Sequence, residues 1–379
     1  MRILIVNGPN LNLIGTREPA VYGTATLSDL EGQWRRRAVG NGASIETFQS
    51  NHEGAIVDAI NGTTDRYDGL IINAGALTHY SYSVRDAVAA CDLPTVEVHI
   101  SNIYEREEWR HFSVLSGVCD LTIVGRGTDG YLHGIDHLVA VNAHAPTTVR
   151  YGDRADAALD LRTPSDSGRH PVALLIHGGF WNDVWKRDLM GPMAVALTGL
   201  GWATVNAEYT RGAGSYGSAP SDITAAIQWI IDCADTHQLD ARRIVAVGHS
   251  AGGYLALRLA HEDPRIAGAV PIAAVSNLVA TSESRPDDDP VAMFLGSPRN
   301  EAPRLWDQAE LTGQPLVPVH MVHGIDDDTV APSQSEAYVH LRGGTVPITI
   351  IDGCGHMDII DPQADAWAPV VAALETLRT

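Results

Sequence analysis

Residues 243–253 have the sequence Arg-Ile-Val-Ala-Val-Gly-His-Ser-Ala-Gly-Gly. The apolar run Arg243 to Val247 predicts a buried strand, and the apolar run Tyr254 to Ala260 predicts a helix directly after the turn. A serine at such a strand-to-helix turn has a strained backbone and needs small neighbours, which glycines 248, 252 and 253 provide. The stretch therefore predicts an α/β fold that presents Ser250 as a nucleophile at the end of a strand.

An acid and a base follow Ser250 in the order that a serine hydrolase needs. A predicted strand is followed by three adjacent aspartates, Asp326 to Asp328. We favour Asp327 because it stands three residues after a glycine and three before a valine, whereas its two neighbours are expected to cap the turn. His356 lies on the loop after the next predicted strand. In this order the histidine would take the serine proton and the aspartate would orient its ring.

A second glycine-rich turn, His177 to Trp181, ends another predicted strand. Backbone N–H groups of Gly178 and Gly179 are expected to form an oxyanion hole together with that of Ala251. The histidine of this turn is expected to position the loop, and the tryptophan is expected to pack. Glu208-Tyr209 is expected either to line the pocket or to brace the loop.

These motifs resemble the α/β-hydrolase family over residues 146–379, and the sequence His-Gly-Gly-Phe-Trp is similar to the HGGxW motif of kynurenine formamidases and related carboxylesterases. The resemblance implies serine-dependent hydrolysis of an ester or a formamide, and leaves the substrate open between the two. The polar stretch Ser282 to Pro290 interrupts the pattern and predicts a mobile cap or loop.

The first part of the chain alternates apolar runs with amphipathic segments. The apolar runs predict five strands, at residues 3–6, 44–48, 69–73, 95–99 and 121–125. The amphipathic segments predict helices at residues 27–39, 53–61, 83–91 and 130–141. This alternation predicts parallel strands joined by right-handed crossovers in a doubly wound sheet. We place the domain boundary near residue 145, giving domains 1–145 and 146–379, and expect a larger parallel sheet in the second domain.

Polar residues follow most of these five runs. They are thus expected at the carboxyl ends of the strands, where open α/β sheets bind ligands. They lie in the stretches 7–13, 15–23, 49–54, 73–79, 85–86 and 97–102. Together they resemble type II 3-dehydroquinate dehydratase over residues 1 to about 143. The resemblance implies a flavodoxin-like fold and a dodecamer built from trimers.

Removal of a proton beside a ketone needs a base, donors for the enolate oxygen and an acid for the departing hydroxyl. By resemblance, Tyr22 is the base and Arg17 stabilises its phenolate, since an ordinary phenol has a pKa near ~10. His99 would protonate the leaving hydroxyl, and Glu97, on the same strand face, would fix the tautomer of that ring. Asn10 would place a water that stabilises the enolate.

The resemblance also implies the residues that bind the substrate. Side chains of Asn73, His79 and Arg110 would bind its hydroxyls, and backbone N–H groups of Ile100 and Ser101 would receive its carboxylate. Asp86 would reach the substrate of a neighbouring subunit. Two positions depart from the family's usual Asn-Pro-Gly-Ala-Tyr-Thr-His sequence, because this chain has Ala74 and Leu77. We expect these to alter the hydroxyl pocket or the subunit contacts.

Composition limits the partners. With 45% hydrophobic and 19% charged residues, the composition is typical of a globular protein. A net charge of −20 argues against binding to nucleic acid or to an anionic membrane surface. The 4 cysteines form no CxxC pair, so neither a zinc site nor a disulfide framework is predicted, and a reducing cytoplasm fits. We expect small-molecule substrates, a trimer-based homo-oligomer and no cofactor or metal.

The leading hypothesis is a bifunctional cytoplasmic enzyme, in which the first domain dehydrates 3-dehydroquinate to 3-dehydroshikimate and the second hydrolyses an ester or a formamide. The fusion suggests, as a further hypothesis, that the hydrolase releases a quinate- or shikimate-type acid from an ester and passes it on. In the alternative, the first domain is an oligomerisation scaffold for an esterase or kynurenine formamidase.

Overall fold

The computed structural model describes residues 1–16, 25–152, 154 and 157–378. The chain forms two compact units, Met1–Ala145 and Pro146–Thr379.

The first unit is built on a parallel sheet. Its described residues form five strands in the spatial order β2-β1-β3-β4-β5, and every pair of neighbours is parallel. The strands are β1 (Arg2–Asn7), β2 (Ser44–Gln49), β3 (Gly69–Asn73), β4 (Thr95–His99) and β5 (Leu121–Val124). The α-helices are α1 (Leu27–Gly40), α2 (Glu53–Asn61), α3 (Tyr82–Ala90) and α4 (Gly130–Ala143). The predicted doubly wound sheet is thus confirmed.

Two hydrophobic clusters pack against this sheet. Strands β3 and β4 are buried along their whole length, as expected for central strands covered by helices on both faces. In one cluster, the ring of Trp34 on α1 stacks on that of Tyr131 on α4 with 4.2 Å between centroids. The Tyr131 hydroxyl donates to Asn7 Oδ1 at 2.7 Å and accepts from Asn73 Nδ2 at 2.9 Å. These bonds tie α4 to the ends of β1 and β3.

The second unit contains a larger mixed sheet, with the described strands in the order β13-β12-β11-β10-β8-β9-β7-β6. Its strands are β6 (Thr147–Arg150), β7 (Ala158–Arg162), β8 (His170–Ile176), β9 (Ala203–Ala207), β10 (Leu239–His249), β11 (Gly268–Ile272), β12 (Met321–Gly324) and β13 (Ile348–Ile351). The prediction of a parallel sheet was wrong at one edge, because β7 is antiparallel to both β6 and β9. The other pairs are parallel.

The described α-helices of this unit are α5 (Gly191–Gly199), α6 (Ser218–Asp232), α7 (Ala251–Glu262), α8 (Leu278–Ser284), α9 (Pro290–Leu295), α10 (Pro303–Ala309), α11 (Ser333–His340) and α12 (Trp367–Glu375). The predicted loop Ser282 to Pro290 is partly helical, since it includes the end of α8 and the start of α9. Asp289 caps α9 by accepting from the N–H groups of residues 291 and 292, and it also accepts from Ser282 Oγ at 2.5 Å.

Glycines allow β10 to turn directly into α7. A Cβ atom on Gly248 would overlap the carbonyl oxygen of Gly252, and one on Gly252 would overlap the carbonyl oxygen of Ile176 at the end of β8. The turn therefore packs backbone against backbone, for the reason that its glycine pattern predicted. Within the described residues, no helix combines the length and the apolar character needed to cross a membrane.

Two candidate active sites

The first unit has a cavity of about 170 Å³ at the carboxyl ends of its central strands. Most of the site residues predicted in this unit line the cavity: Asn10, Asn73, His79, His99, Ile100, Ser101 and Arg110. The rest of its lining consists of apolar or small residues and one cation: Pro9, Leu11, Ile14, Gly75, Ala76, Ile103 and Arg106. Arg106 is a cation that sequence reasoning missed, since it lies in a charged stretch with no periodicity.

His99 ends β4 and lies against a buried carboxylate. Its Nε2 atom is 3.0 Å from Oε1 of Glu97, which is fully buried. Glu97 also accepts hydrogen bonds from the hydroxyls of Thr78 and Ser113. Burial raises the pKa of Glu97, but the bonds from these three partners outweigh it, so that the pKa lies below its ordinary value. The site therefore holds a negative charge directly behind His99.

His79 faces His99 across the cavity, with 6.4 Å between ring centroids. Its Nδ1 donates to the carbonyl oxygen of Phe112 at 2.8 Å, which leaves Nε2 as the other hydrogen-bonding atom of the ring. Burial is the main cause that lowers the pKa of His79. The Arg110 guanidinium lies 4.0 Å from the ring centroid of Trp109, whose ring packs edge-on against His79.

Two predicted residues of the first unit, Glu97 and Asp86, are not among the described residues that line this cavity; Glu97 lies behind His99. Arg17 and Tyr22 lie outside the described residues. The Asp86 side chain is 77% exposed on α3 and pairs with Arg85 at 3.5 Å.

The two departures from the family sequence lie in the core. Ala74 and Leu77 are buried in the cluster that packs below β1 and β3, and they are not among the described residues that line the cavity. An effect on the hydroxyl pocket would therefore have to pass through the backbone of the turn between them.

Ser250 occupies the turn between β10 and α7 with φ 56° and ψ −116°, outside the regions that L-residues commonly adopt. Its N–H donates to the carbonyl oxygen of Ile272 at 2.9 Å, and its carbonyl accepts from Val275 N at 3.1 Å. The neighbouring strand thus holds the strained backbone of this serine in place, as is common at functional positions.

Asp327 is the member of the aspartate triplet that contacts the predicted histidine. Its Oδ2 is 2.7 Å from Nδ1 of His356, and its Oδ1 accepts from the N–H groups of Thr329 and Val330 at 2.9 and 2.8 Å. The two flanking aspartates are exposed. Burial raises the pKa of Asp327, but hydrogen bonds from the neighbouring histidines outweigh it, so that the pKa lies far below its usual range.

Two further histidines, which sequence reasoning missed, support this pair. His249 precedes Ser250, and its Nε2 donates to the carbonyl oxygen of His356 at 3.0 Å. Burial lowers the pKa of His249 to about 3, so the ring is neutral near pH 7. His323 Nε2 lies 2.9 Å from Val330 O and 3.2 Å from Asp327 Oδ2. The signal for both was their position beside a motif glycine.

The glycine turn after β8 lies directly against Ser250. A Cβ atom on Gly178 would be 2.9 Å from that of Ser250. The next residue, Gly179, has φ +107°, a conformation that L-residues rarely adopt. Ala251 begins α7, and its N–H is one of the donors that a helix start leaves without an intrahelical partner. Gly178 and Ala251 thus adjoin the serine, and Gly179 follows Gly178 in the same turn.

Glu208 and Tyr209 brace this turn. Glu208 Oε1 is 2.8 Å from Nε2 of His177, and the Tyr209 hydroxyl donates to the His177 carbonyl oxygen at 2.8 Å. Arg211 also pairs with Glu208 at 2.7 Å. Of the two alternatives for Glu208-Tyr209, these contacts favour bracing. Among the described residues, no group of three or more His, Cys, Asp or Glu side chains is placed to hold a metal ion.

Comparisons with known proteins separate the two units. Residues 1–139 match the family model of dehydroquinase class II, and residues 159–341 match the BD-FAE family model. The chain is 51% identical over 140 residues to the catabolic 3-dehydroquinase of Aspergillus oryzae, covering 37% of this chain and 91% of that protein. It is 53% identical over 137 residues to the 3-dehydroquinate dehydratase of Bacillus pumilus, covering 36% of this chain and 93% of that protein.

A solved structure of a truncated carbohydrate esterase from gut microbiota matches 62% of this chain and 97% of its own length, with a TM-score of 0.54 and 16% identity. At that identity the likeness shows the fold alone, and the second unit has the α/β-hydrolase fold.

Proposed function

Because the chain belongs, through residues 1–139, to the type II dehydroquinase family, we propose that its first unit dehydrates 3-dehydroquinate to 3-dehydroshikimate. The observation that supports this most directly is the buried Glu97 carboxylate 3.0 Å from His99 at the cavity. A histidine paired in this way can keep one tautomer and deliver a proton to a departing hydroxyl.

The proposed reaction has two proton transfers. Tyr22, as a phenolate stabilised by Arg17, removes the proton beside the ketone, and the electron pair moves onto the carbonyl oxygen as an enolate. A water placed by Asn10 donates a hydrogen bond to that oxygen. The enolate then expels the hydroxyl group, which takes a proton from His99 and leaves as water. Glu97 orients the His99 ring throughout.

The cavity supplies the proposed binding groups. Side chains of Asn73, His79 and Arg110 bind the hydroxyls, and the N–H groups of Ile100 and Ser101 receive the carboxylate. We propose that the first unit assembles a trimer-based homo-oligomer of the dodecameric type, in which the exposed Asp86 reaches the neighbouring subunit's substrate. Sedimentation velocity of the full chain tests the assembly, and a monomer would contradict it.

The first experiment follows the ultraviolet absorption of the conjugated enone product with 3-dehydroquinate as substrate. His99→Ala should lower kcat by about 10²–10⁴-fold, the usual contribution of a general acid. His52→Ala is the matched control, since this histidine lies outside the cavity residues and its ring forms no cap bond at α2. Silence of the wild type would favour the scaffold alternative, and Tyr22→Phe with unchanged activity would overturn the mechanism.

For the second unit, we infer serine-dependent hydrolysis of an ester or a formamide. The contact of 2.7 Å between Asp327 and His356 supports it, together with the bond of 3.0 Å from His249, the residue before Ser250, to the His356 carbonyl oxygen. His356 would accept the Ser250 proton as Oγ attacks the carbonyl carbon, and would then return that proton to the leaving group. N–H groups of Gly178, Gly179 and Ala251 would bind the oxyanion. A bound water would release the acyl group in a second, equivalent step.

A fluorophosphonate probe tests the nucleophile without a known substrate. Labelling should vanish in Ser250→Ala and persist in Ser221→Ala, where an exposed serine on α6 is changed. Persistent labelling of Ser250→Ala would contradict the assignment. Turnover of N-formylkynurenine against simple esters then decides between the formamide and ester readings.

The two activities can be linked by their chemistry. We propose that the hydrolase releases a quinate- or shikimate-type acid from an ester, and that a quinate-type acid is oxidised to its 3-keto form by a separate dehydrogenase and its oxidised cofactor before the dehydratase consumes it. The catabolic 3-dehydroquinase of Aspergillus oryzae carries a name that fits a degradative direction. The test compares kcat/KM for quinate esters and simple aryl esters, and equal values would remove the support for this link.

A further inference from the structure

Glu97 is held behind His99 by hydroxyl groups that take no part in lining the cavity. Thr78 Oγ1 donates to Glu97 Oε1, and Ser113 Oγ lies 2.7 Å from Oε1 and 3.0 Å from Oε2. The two hydroxyl oxygens are 3.2 Å apart. Thr122 Oγ1 lies farther away, at 3.4 Å from Oε2. Thr78 and Ser113 are both buried, so water does not compete for these bonds.

The hydrogen-bond directions are set by the backbone around Ser113. Its Oγ accepts from the N–H groups of Leu115 and Ser116 at 3.0 and 3.2 Å. A serine hydroxyl has two lone pairs and one proton, so with both lone pairs engaged it can only donate to Glu97. A protonated Glu97 would lose an acceptor position that these donors need. The network is therefore satisfied when Glu97 is an ionised carboxylate.

We propose that Thr78 and Ser113 are positioning residues of the dehydratase, which keep Glu97 ionised and aim its Oε1 at Nε2 of His99. The inference rests on the proposed function, in which His99 protonates the leaving hydroxyl. Glu97 Oε1 lies 3.0 Å from Nε2 of His99, an ion-pair distance without hydrogen-bond geometry in this structure, and its negative charge favours a proton on Nε2. Nδ1 is then the atom that exchanges a proton with the substrate. The hydroxyls thus act on the reaction through Glu97, without contacting the substrate.

Other titratable groups face Glu97 from each element around it. They are His99 on β4, His79 from the turn after β3, and the thiol of Cys119 ahead of β5. Burial lowers the pKa of His79 and raises that of Cys119. A substitution at Thr78 leaves all three groups in the chain, so a change in pH dependence would report the lost hydroxyl.

The test compares Thr78→Val, which removes the hydroxyl at constant shape, with Thr78→Ser, which keeps it. Thr63→Val is the matched control, because Thr63 is equally buried in the same unit but donates to the Ile60 carbonyl oxygen at 2.7 Å. In Thr78→Val the acid limb of the kcat profile should move up by about one pH unit, the loss expected for one bond to a charged group. KM should stay unchanged, because Thr78 does not line the cavity.

Thr78→Ser should restore the wild-type profile, and Thr63→Val should lose stability without a shift. An unchanged acid limb in Thr78→Val would overturn the inference while leaving the dehydratase activity intact. Absence of turnover in the wild type would instead overturn the proposed function, and this inference with it.

A second measurement covers the case in which Thr78→Val folds but has lost turnover. The infrared band of the protonated Glu97 carboxyl, assigned by its absence in Glu97→Gln, should titrate at higher pH in Thr78→Val than in the wild type. Equal titration in the two proteins would refute the inference without reference to activity.

Discussion

Replacing Asp327 by asparagine should disable the hydrolase while leaving the fold of its unit in place. The Oδ1 atom of an asparagine could still accept from Thr329 and Val330, whose N–H groups lie 2.9 and 2.8 Å away. Its amide nitrogen would then take the place of Oδ2, 2.7 Å from His356 Nδ1 and 3.2 Å from His323 Nε2. A donor would face His356 where an acceptor stood.

The His356 ring would respond by moving its proton to Nε2, the nitrogen that has to accept the serine proton. A wrong tautomer of this kind lowers kcat by about 10⁴-fold in a serine protease, equivalent to about 5 kcal/mol of transition-state stabilisation. The free energy of unfolding should fall less, by about 1–3 kcal/mol, because two backbone bonds survive and a buried charge is removed.

The assay is the second-order rate of fluorophosphonate labelling at Ser250, with thermal unfolding measured by circular dichroism alongside. Asp326→Asn and Asp328→Asn are matched controls, since both side chains are exposed beside the same turn. They should label at the wild-type rate. Labelling of Asp327→Asn within tenfold of the wild type, or a large loss in either control, would refute the reasoning.

Three further outcomes are expected in the second unit. Gly178→Ala should slow labelling and destabilise the unit, because the added Cβ would lie 2.9 Å from that of Ser250; wild-type kinetics would contradict the packing. Glu208→Gln should lower the free energy of unfolding by about 3 kcal/mol, measured in urea, because it breaks a buried pair with His177. Folding lowers the pKa values of Asp327 and Glu208 from 3.8 and 4.5. The two carboxylates therefore stabilise the folded unit above those pH values, and this stabilisation is lost as the pH falls. Urea midpoints that stay constant from pH 7 to acid would disprove this.

Most of the fold could be predicted from local patterns in the sequence. The strand runs and the glycine pattern around Ser250 act over a few residues, so the sequence alone predicted the doubly wound sheet and the strand-turn-helix at the serine. The direction of β7 could not be predicted, because short apolar runs such as Ala158 to Leu161 pack equally well in either direction.

The supporting groups of the sites were harder to find. Thr78 and Ser113 lie 35 residues apart and come together only in the folded unit, and ordinary hydroxyl residues carry no spacing signal of their own. His323 differs from them, because its contact with Asp327 spans four residues, and its position beside Gly324 was a local signal. Motifs identify groups that act within one turn, whereas partners from separate elements emerge only when the sheet is assembled.

The glycines around the serine differ in what they leave open to evolutionary change. At Gly248 and Gly252 an added side chain would meet backbone carbonyl oxygens, which cannot rotate away. Gly179 is fixed as well, by its φ of +107°, whereas the neighbouring Trp185 side chain is 47% exposed and can be exchanged for a smaller residue. New specificity in a laboratory lineage should therefore arise along residues 180–185, while the turn that carries the serine stays invariant.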